Sequence, residues 1–535
     1  MFLALFGASN ATNTTNTIGA FDANNGFFPD ATSYYGNMML AVMYAVEHGV
    51  PGAMAGYQRL IGASNWPAFE ASAALNPGYA HRPRNYYQFG FGSAVGSVSG
   101  DAWTPGKDSA GRVNKASWDA VPSGRWIEIA GTRIDQQLTS KIVAENLGWN
   151  SATLWGTTSA NSIFQSWSGM ALDAALGRMW FLGGGHSDGY NNGLYRFDSS
   201  TMSWAIECLP SNRTLMSSSY LNNGSSSFDP DSSALGTANF NLNNPPGTIV
   251  GTVVPFINGP FWDEVYTDNT KPTARHTYEG MEFTPDIGVA GSVIMHAKRL
   301  WIFDLATGRW VLKRLTMDQA VTQNSPAPNS TQITMISAVE AGFATWDEVN
   351  KKILVSSSGS SAPAVGGGAY AFDWATQSWS LWSGAYGLNY NDAAHARNGR
   401  IITSFKPPVS DQTVYQGNYW TYNMDAPGIT GGTVQLAGGL TLANFVSGGA
   451  FYDGAAMAYI PTLNRYWVCT RSSAGGMMWC QLDPTTTPWT LSPLTFVNAQ
   501  PVAERLILGR IKYIPALNAL MVWDHCFANA FVFKF

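Results

Sequence analysis

The sequence predicts an all-β fold, a ring of six four-stranded blades, and three observations predict it. The first is a repeated turn. FDSSTMSW (197–204), FDLATGRW (303–310), FDWATQSW (372–379) and LDPTTTPW (482–489) share an apolar residue, an Asp, a Thr three residues later and a Trp six after the Asp. Asp and Thr side chains bond nearby backbone N–H groups and make a tight turn. The Trp opens the next strand and supplies a large buried area. The second is a set of short joins upstream, ALGR (175–178), VNKK (349–352), RNGR (397–400), TLNR (462–465) and ALNA (516–519), each between two apolar strands. Each unit is thus a four-stranded meander at the roughly 45–55-residue period of propeller blades. The third is how the repeat ends. ERLILGRIKYIPALN, ALMVWDH and FVFKF supply three strands, and GRWIEIAG (124–131) supplies the missing fourth from the other end of the region. Such a strand closes the ring and removes exposed sheet edges.

Taken in order, residues 1–30 are rich in Asn, Thr and Gly and read as an extended arm. Residues 31–99 are expected to be a helical anchor region. Ser33 is a good N-cap for SYYGNMMLAVMYAVEHG (33–49), and Pro51 opens PGAMAGYQRLIG (51–62). These two form the only convincing helices, a hairpin whose apolar surface must pack on this chain or another. Residues 100–123 read as a linker. Residues 124–535 are the six-bladed propeller. Its blades fall at 160–209, 276–315, 340–382, 391–437, 453–494 and 502–535 with 124–131. NYWTYNMDAPG (418–428) is a degenerate copy of the turn without the Trp. Residues 205–275 are a long insertion rich in Ser, Asn, Gly and Pro.

Composition agrees. Only 12% of the 535 residues are charged and 13% are aromatic, with 21 Trp and 55 Gly. Disordered chains are highly charged and poor in aromatics; many short strands with Gly-rich turns have this balance instead. The net charge of −5 comes with no basic stripe, so nucleic acid is not an expected partner. The apolar run Met38–Val46 is far below the ~20 residues that span a bilayer, so membrane insertion is not expected. MFLALFGASNA lacks the basic and apolar regions of a removable signal. An extracellular or virion location is expected by another route. The four cysteines form no CxxC pair, which argues against structural zinc. Cys469 and Cys480 fall on neighbouring strands, as free thiols or as a disulfide.

The meander sets the polarity of the ring. The joins between strands 1 and 2 and between strands 3 and 4 are short and share one face. The loops between strands 2 and 3 and the blade-to-blade links are long and share the other. Long loops concentrate function, so the long-loop face is the expected binding face. The helical hairpin is expected on the opposite side, because the strand at 124–131 enters its blade from the short-turn face. Histidines collect at the long-loop ends of strands, where imidazoles can bind metals or act as bases. The candidate binding residues there are His186, Asp188, Tyr190, Arg275, His276, Tyr278, Glu279, His395, Asp524 and His525. The alternative reading makes them strand-end groups that satisfy backbone atoms or line a wet channel.

The unit GGGH…LYRFDSSTMSW and its copies resemble kelch-type β-propellers, the class that includes galactose-oxidase-like propellers, over about 410 residues. Copper oxidases of that class hold the metal with Tyr and His ligands and a Tyr–Cys cross-link, one ligand coming from a further C-terminal domain. Here the repeat runs to the last residue, and Cys469 and Cys480 fall inside strands. No catalytic residue, metal or cofactor is carried over. The resemblance implies a fold, and folds of this kind host many activities. The expected function is therefore a non-enzymatic structural and binding protein, such as a phage tail or capsid accessory protein. Residues 1–123 would contact other subunits, and the long loops would bind surface glycan or a neighbouring subunit. A carbohydrate-active enzyme and a secreted bacterial binding propeller are the alternatives.

Overall fold

The computed structural model describes residues 96–535, apart from 157–162, 165–167, 185–190, 214–271, 273–276, 298, 314–342, 357–368, 377, 384–393, 409, 411–416, 427, 447–454, 499 and 502–506. The expected arm, the helical hairpin and most of the 205–275 insertion lie outside the described residues. The chain begins with β1 (Ser97–Ser99), β2 (Ala102–Thr104), α1 (Lys115–Asp119), β3 (Trp126–Ile129), α2 (Ile134–Ala144) and α3 (Ser151–Leu154). Blade 1 is β4 (Met170–Asp173), β5 (Arg178–Leu182), β6 (Leu194–Asp198) and β7 (Ser203–Cys208). Blade 2 is β8 (Met281–Thr284), β9 (Ser292–Ala297), β10 (Arg299–Asp304) and β11 (Arg309–Lys313). Blade 3 is β12 (Ala344–Asp347), β13 (Lys352–Ser356), β14 (Ala369–Asp373) and β15 (Ser378–Ser383). Blade 4 is β16 (Ala394–Asn398), β17 (Ile401–Lys406), β18 (Asn418–Asn423) and β19 (Ile429–Thr433). In blade 5, β20 (Gln435–Leu436) lies outside β24 (Thr490–Pro493), β23 (Met477–Asp483), β22 (Arg465–Arg471) and β21 (Ala456–Ile460). Blade 6 is β25 (Ile511–Ile514), β26 (Ala519–Val522) and β27 (Phe531–Lys534), completed by β3 and extended by β2 and β1. The protein is a six-bladed β-propeller, and an N-terminal strand closes the ring.

The repeated turn works as its chemistry requires. Asp198 Oδ1 accepts from the Ser200 amide at 2.9 Å, and Thr201 Oγ1 donates to the Asp198 carbonyl at 3.3 Å. Asp373 accepts from the amides of Ala375 and Thr376, and Asp483 from that of Thr485. In the degenerate fourth copy Asn423 takes the Asp position and accepts from the Asp425 amide at 2.9 Å. A second device spans the blade. The basic residue that opens strand 2 pairs with the acid at the end of strand 3: Arg178 with Asp198 at 3.0 Å and Arg465 with Asp483 at 2.8 Å. The Trp of the turn then faces the apolar residue before the Asp, Phe197 opposite Trp204 and Phe303 opposite Trp310. Blade 5 departs from this pattern. Leu491 stands opposite Leu482, and Trp489 stacks on Tyr419 of blade 4 with ring centres 3.9 Å apart.

Three expectations change. Residues 100–123 are not a linker. Trp103 is fully buried, lies edge-on to Trp118 at 5.6 Å and donates to Ser117 Oγ at 3.1 Å. Lys534 Nζ reaches back to the carbonyls of Trp118, Asp119 and Val121. The route into the ring also differs. β2 runs parallel to β3 and β1 antiparallel to β2, so this extra hairpin reverses the chain. Gly96 therefore lies at the long-loop end of blade 6, not at the short-turn end. Finally, α2 is a helix that the 33–62 assignment did not anticipate. Ile134, Leu138 and Ile142 form a buried stripe against blade 1, and Gln137 Oε1 accepts from the Trp204 amide at 2.7 Å. None of the four cysteines is in a disulfide. Cys469 stands opposite Trp479 and Cys480 opposite Val468, so the one-residue offset puts the thiols on opposite sheet faces.

Asp198 carries more than its turn, because it also receives Arg196 Nη1 at 2.8 Å. Asp198→Ala leaves two guanidinium groups short of an acceptor. It is expected to cost about 2–4 kcal/mol in urea unfolding. Asp304→Ala removes an exposed turn bond from the Ala306 amide and is expected to cost under about 1 kcal/mol. Equal losses in the two variants would show that the ion pairs do not brace the blade.

Candidate functional site

The first strand of every blade faces the ring axis, and together these strands wall a cavity of about 680 Å³. Its lining runs from Glu279, Phe343 and His395, at the starts of these strands, to Asp286, Glu348, Gly399, Pro461 and Pro515 in the short 1–2 turns. The cavity is therefore a funnel whose rim lies on the short-turn face. At its other end the innermost strands converge. The Gly169 amide donates to Thr277 Oγ1 at 3.0 Å, and the Met170 amide to the Gly509 carbonyl at 3.2 Å. A Cβ on Gly169 would stand 1.9 Å from the Tyr278 carbonyl oxygen, so only glycine allows blades 1, 2 and 6 to meet here. Tyr278 holds a left-handed backbone (φ 44°) at this junction.

Two candidate residues are brought together at the narrow end. Glu279 of blade 2 reaches over Phe343 of blade 3 to His395 of blade 4. Its Oε2 accepts from the His395 amide at 3.1 Å and lies 3.5 Å from His395 Nδ1. The two side chains are 10% and 5% exposed. Among the described residues Glu279 Oε1 and His395 Nε2 are buried with no hydrogen-bond partner, and both residues line the cavity. Buried polar atoms are nearly always satisfied, so this pair points to an occupant of the funnel.

The other candidates separate. Tyr278 is buried between blades 1 and 2. Asp524 and His525 do not line the funnel. The Asp524 carbonyl accepts from Arg510, which is fully buried and held down to about 10 by burial, with the Asp524 charge opposing. His525 Nδ1 accepts from the Phe527 amide at 3.1 Å. His186, Asp188, Tyr190, Arg275 and His276 lie outside the described residues. Among the described residues no group of three or more His, Cys, Asp or Glu is arranged to hold a metal. No described helix is long and apolar enough to cross a membrane.

The remaining charges of the funnel come from residues the sequence pattern did not single out. Arg397 is spoken for: it pairs with Glu348 and donates to the carbonyls of Trp346 and Gly399, both at 2.7 Å. Asp286 accepts from Lys351 and from Trp346 Nε1, both at 2.9 Å. Glu282 of β8 and Lys512 of β25 have no such fixed partner. Burial pushes the Glu282 carboxyl up to about 7, against the opposing pull of Arg397 and Lys512. Burial also lowers Lys512, opposed by Glu279 and Glu282. Both are partly accessible to water yet surrounded by protein, as expected for groups inside a funnel. The signal for them is the alternation of the innermost strand. In MEFT (281–284) and IKYI (511–514) a single charge stands among apolar neighbours.

No protein-family model matches the sequence, and no curated protein is significantly similar to it. Solved structures with a similar fold include the GH74 xyloglucanase from Xanthomonas campestris, 13% identical with a TM-score of 0.35. It is covered over 71% of this chain and 47% of its own, so this chain spans about half its length. TolB from Acinetobacter baumannii is 11% identical, with 66% of this chain and 76% of its own covered and a TM-score of 0.27. A structural genomics protein of unknown function from Bacteroides thetaiotaomicron is 8% identical, over 45% and 66%, with a TM-score of 0.22. These likenesses carry no conclusion, and the fold is established by the strand pairing. The number of blades rests on the strand pairing itself.

The raised Glu282 carboxyl carries a pH signature. Its folded value lies above the ordinary 4.5, so the native state binds the proton more tightly than the unfolded chain does. Native stability is therefore lost as pH rises from about 4.5 to about 7. Glu282→Gln removes the buried charge. Relative to the parent it is expected to gain on the order of 2 kcal/mol at about pH 8, and the gain should vanish near pH 4.5. Thermal unfolding of both proteins across that range checks it; a difference that does not change with pH would contradict the assignment.

Proposed function

We propose that this chain is a non-enzymatic structural and binding propeller of kelch type. Its N-terminal region holds it in an assembly such as a virion. Its long-loop face binds host-surface glycan or a neighbouring subunit. The observation that carries the reading is the fusion of residues 97–123 to the ring. β1 and β2 extend the sheet of blade 6, and Trp103, Trp118 and Lys534 lock that extension to the last strand. The point at which the described chain begins, Gly96, is thereby fixed to blade 6. The chain leaves the described fold on the outer rim of blade 6, at its long-loop end. A partner held there leaves the funnel mouth, on the other face, uncovered. Low charge and Asn-, Ser- and Gly-rich connections suit a protein that works among other subunits outside a cell.

The test compares the full chain with a form lacking residues 1–95. The full chain is expected to associate with itself or with structural neighbours. The shortened form is expected to be monomeric by light scattering, with unchanged unfolding because the deletion stops short of β1. A full chain that is monomeric, and that the deletion leaves unaltered, would sink the proposal.

A further inference from the structure

We propose that the central funnel binds a small polyhydroxylated ammonium ion, a ligand site separate from the long-loop face and independent of the assembly reading above. Some of the funnel's charges are matched within the protein and others are not. Glu348 is matched by Arg397 and Asp286 by Lys351. Among the described residues four polar groups remain on the axis: Glu279, Glu282, Lys512 and His395. With Glu282 ionised, the two carboxylates and the one ammonium group sum to one negative charge, which a single cation balances. Among the described residues Glu279 Oε1 is a buried acceptor without a donor, and a nine-tenths-buried carboxylate oxygen in that state calls for an N–H or O–H. Lys512 calls for the reverse, an oxygen acceptor. A ligand carrying both an ammonium group and hydroxyls meets both demands, whereas a bare cation leaves Lys512 opposed and an anion meets two carboxylates.

Size and walls agree. The volume of about 680 Å³ lies within the range of small-molecule sites, roughly 300–1,000 Å³. Tyr459 and Tyr513 line it on blades 5 and 6. Their hydroxyls are already bonded to Asn464 and Asn518, at 2.9 and 2.8 Å. What they offer a ligand is ring surface, which attracts both cations and the C–H faces of polyols. The narrow end is built from strand starts and glycine contacts, so a ligand enters from the short-turn rim and stops at Glu279 and His395.

Binding is linked to protons. Glu282 faces Arg397 from β16, Lys512 from β25 and Glu348 from the 1–2 turn of blade 3, with Glu279 and His395 beyond it at the narrow end. A bound ammonium group favours ionised Glu282, so binding weakens as pH falls through the range of that carboxyl.

The probe is N-methylglucamine, with sorbitol as its uncharged counterpart of the same chain length, followed by calorimetry on the full-length protein. At about pH 8 the amine is expected to bind and sorbitol is not. Affinity is expected to fall by about 30-fold at about pH 5.5, where a carboxyl titrating near 7 is largely protonated. Glu282→Gln is expected to lose about tenfold or more at about pH 8 and to flatten that pH dependence. Its folding is secured by the stability gain described above. His525→Ala, outside the funnel, is expected to bind as the parent does. Equal binding of sorbitol, amine binding unchanged by Glu282→Gln, or no binding up to about 10 mM amine would each overturn the proposal.

Discussion

The antiparallel pairing of β3 with β27 holds the ring shut. Phe531 stands opposite Glu128, Val532 opposite Ile127 and Phe533 opposite Trp126. The same contact is sealed by side chains, since Asn529 Nδ2 donates to Glu128 Oε1 at 2.8 Å. β3 also serves two cores. Trp126 packs at 4.9 Å from Trp479 of blade 5, while Ile127 and Ile129 join the cluster shared by blades 6 and 1. Without this strand β27 would present an open edge, and blades 5, 6 and 1 would lose a shared wall.

A closed ring gives the innermost strands a fixed spacing, and that spacing makes the funnel. Each blade contributes one short strand to the axis, too short to hold its own charges apart from water or apart from one another. Glu279, His395, Glu282 and Lys512 lie on three different sheets, 2, 4 and 6, and meet only because closure brings those sheets around one axis. The Asp turns and their basic partners act at the other level. In blades 1 and 5 they set and brace the 3–4 turn locally, without reference to the neighbouring blades.

How much of this was legible in the sequence follows from how local each device is. Asp198, Asp373 and Asp483 bond amides two or three residues away, so their pattern marks the blades directly. β1 and β2 are three residues each, SVS and AWT, too short for alternation to show, so residues 100–123 read as a linker although Trp103 and Trp118 anchor them. In α2 the spacing of Ile134, Leu138 and Ile142 at i, i+4 and i+8 is the amphipathic helical pattern, so this helix stands in the sequence, but it lies outside the repeated turn motif that marks the blades. The histidine criterion found His395 but gave it no partner, because its contact with Glu279 spans 116 positions. Glu282 and Lys512 show in the sequence only as charges among apolar neighbours. Whether such a charge faces bulk water or an enclosed axis is decided by ring closure, which no local window contains.

The two faces of the ring thus carry different demands: chain exit and long connections at one end, a charged funnel mouth at the other. Both rest on β3 being an integral strand of blade 6 and not a loosely docked segment. Amide hydrogen exchange across blade 6 tests this most directly. The Ile129 amide donates to the Ala530 carbonyl at 2.8 Å and is expected to exchange as slowly as the amides of β26, through opening of the whole ring. Exchange of β3 at the rate of an exposed turn, with β26 still protected, would contradict closure by this strand.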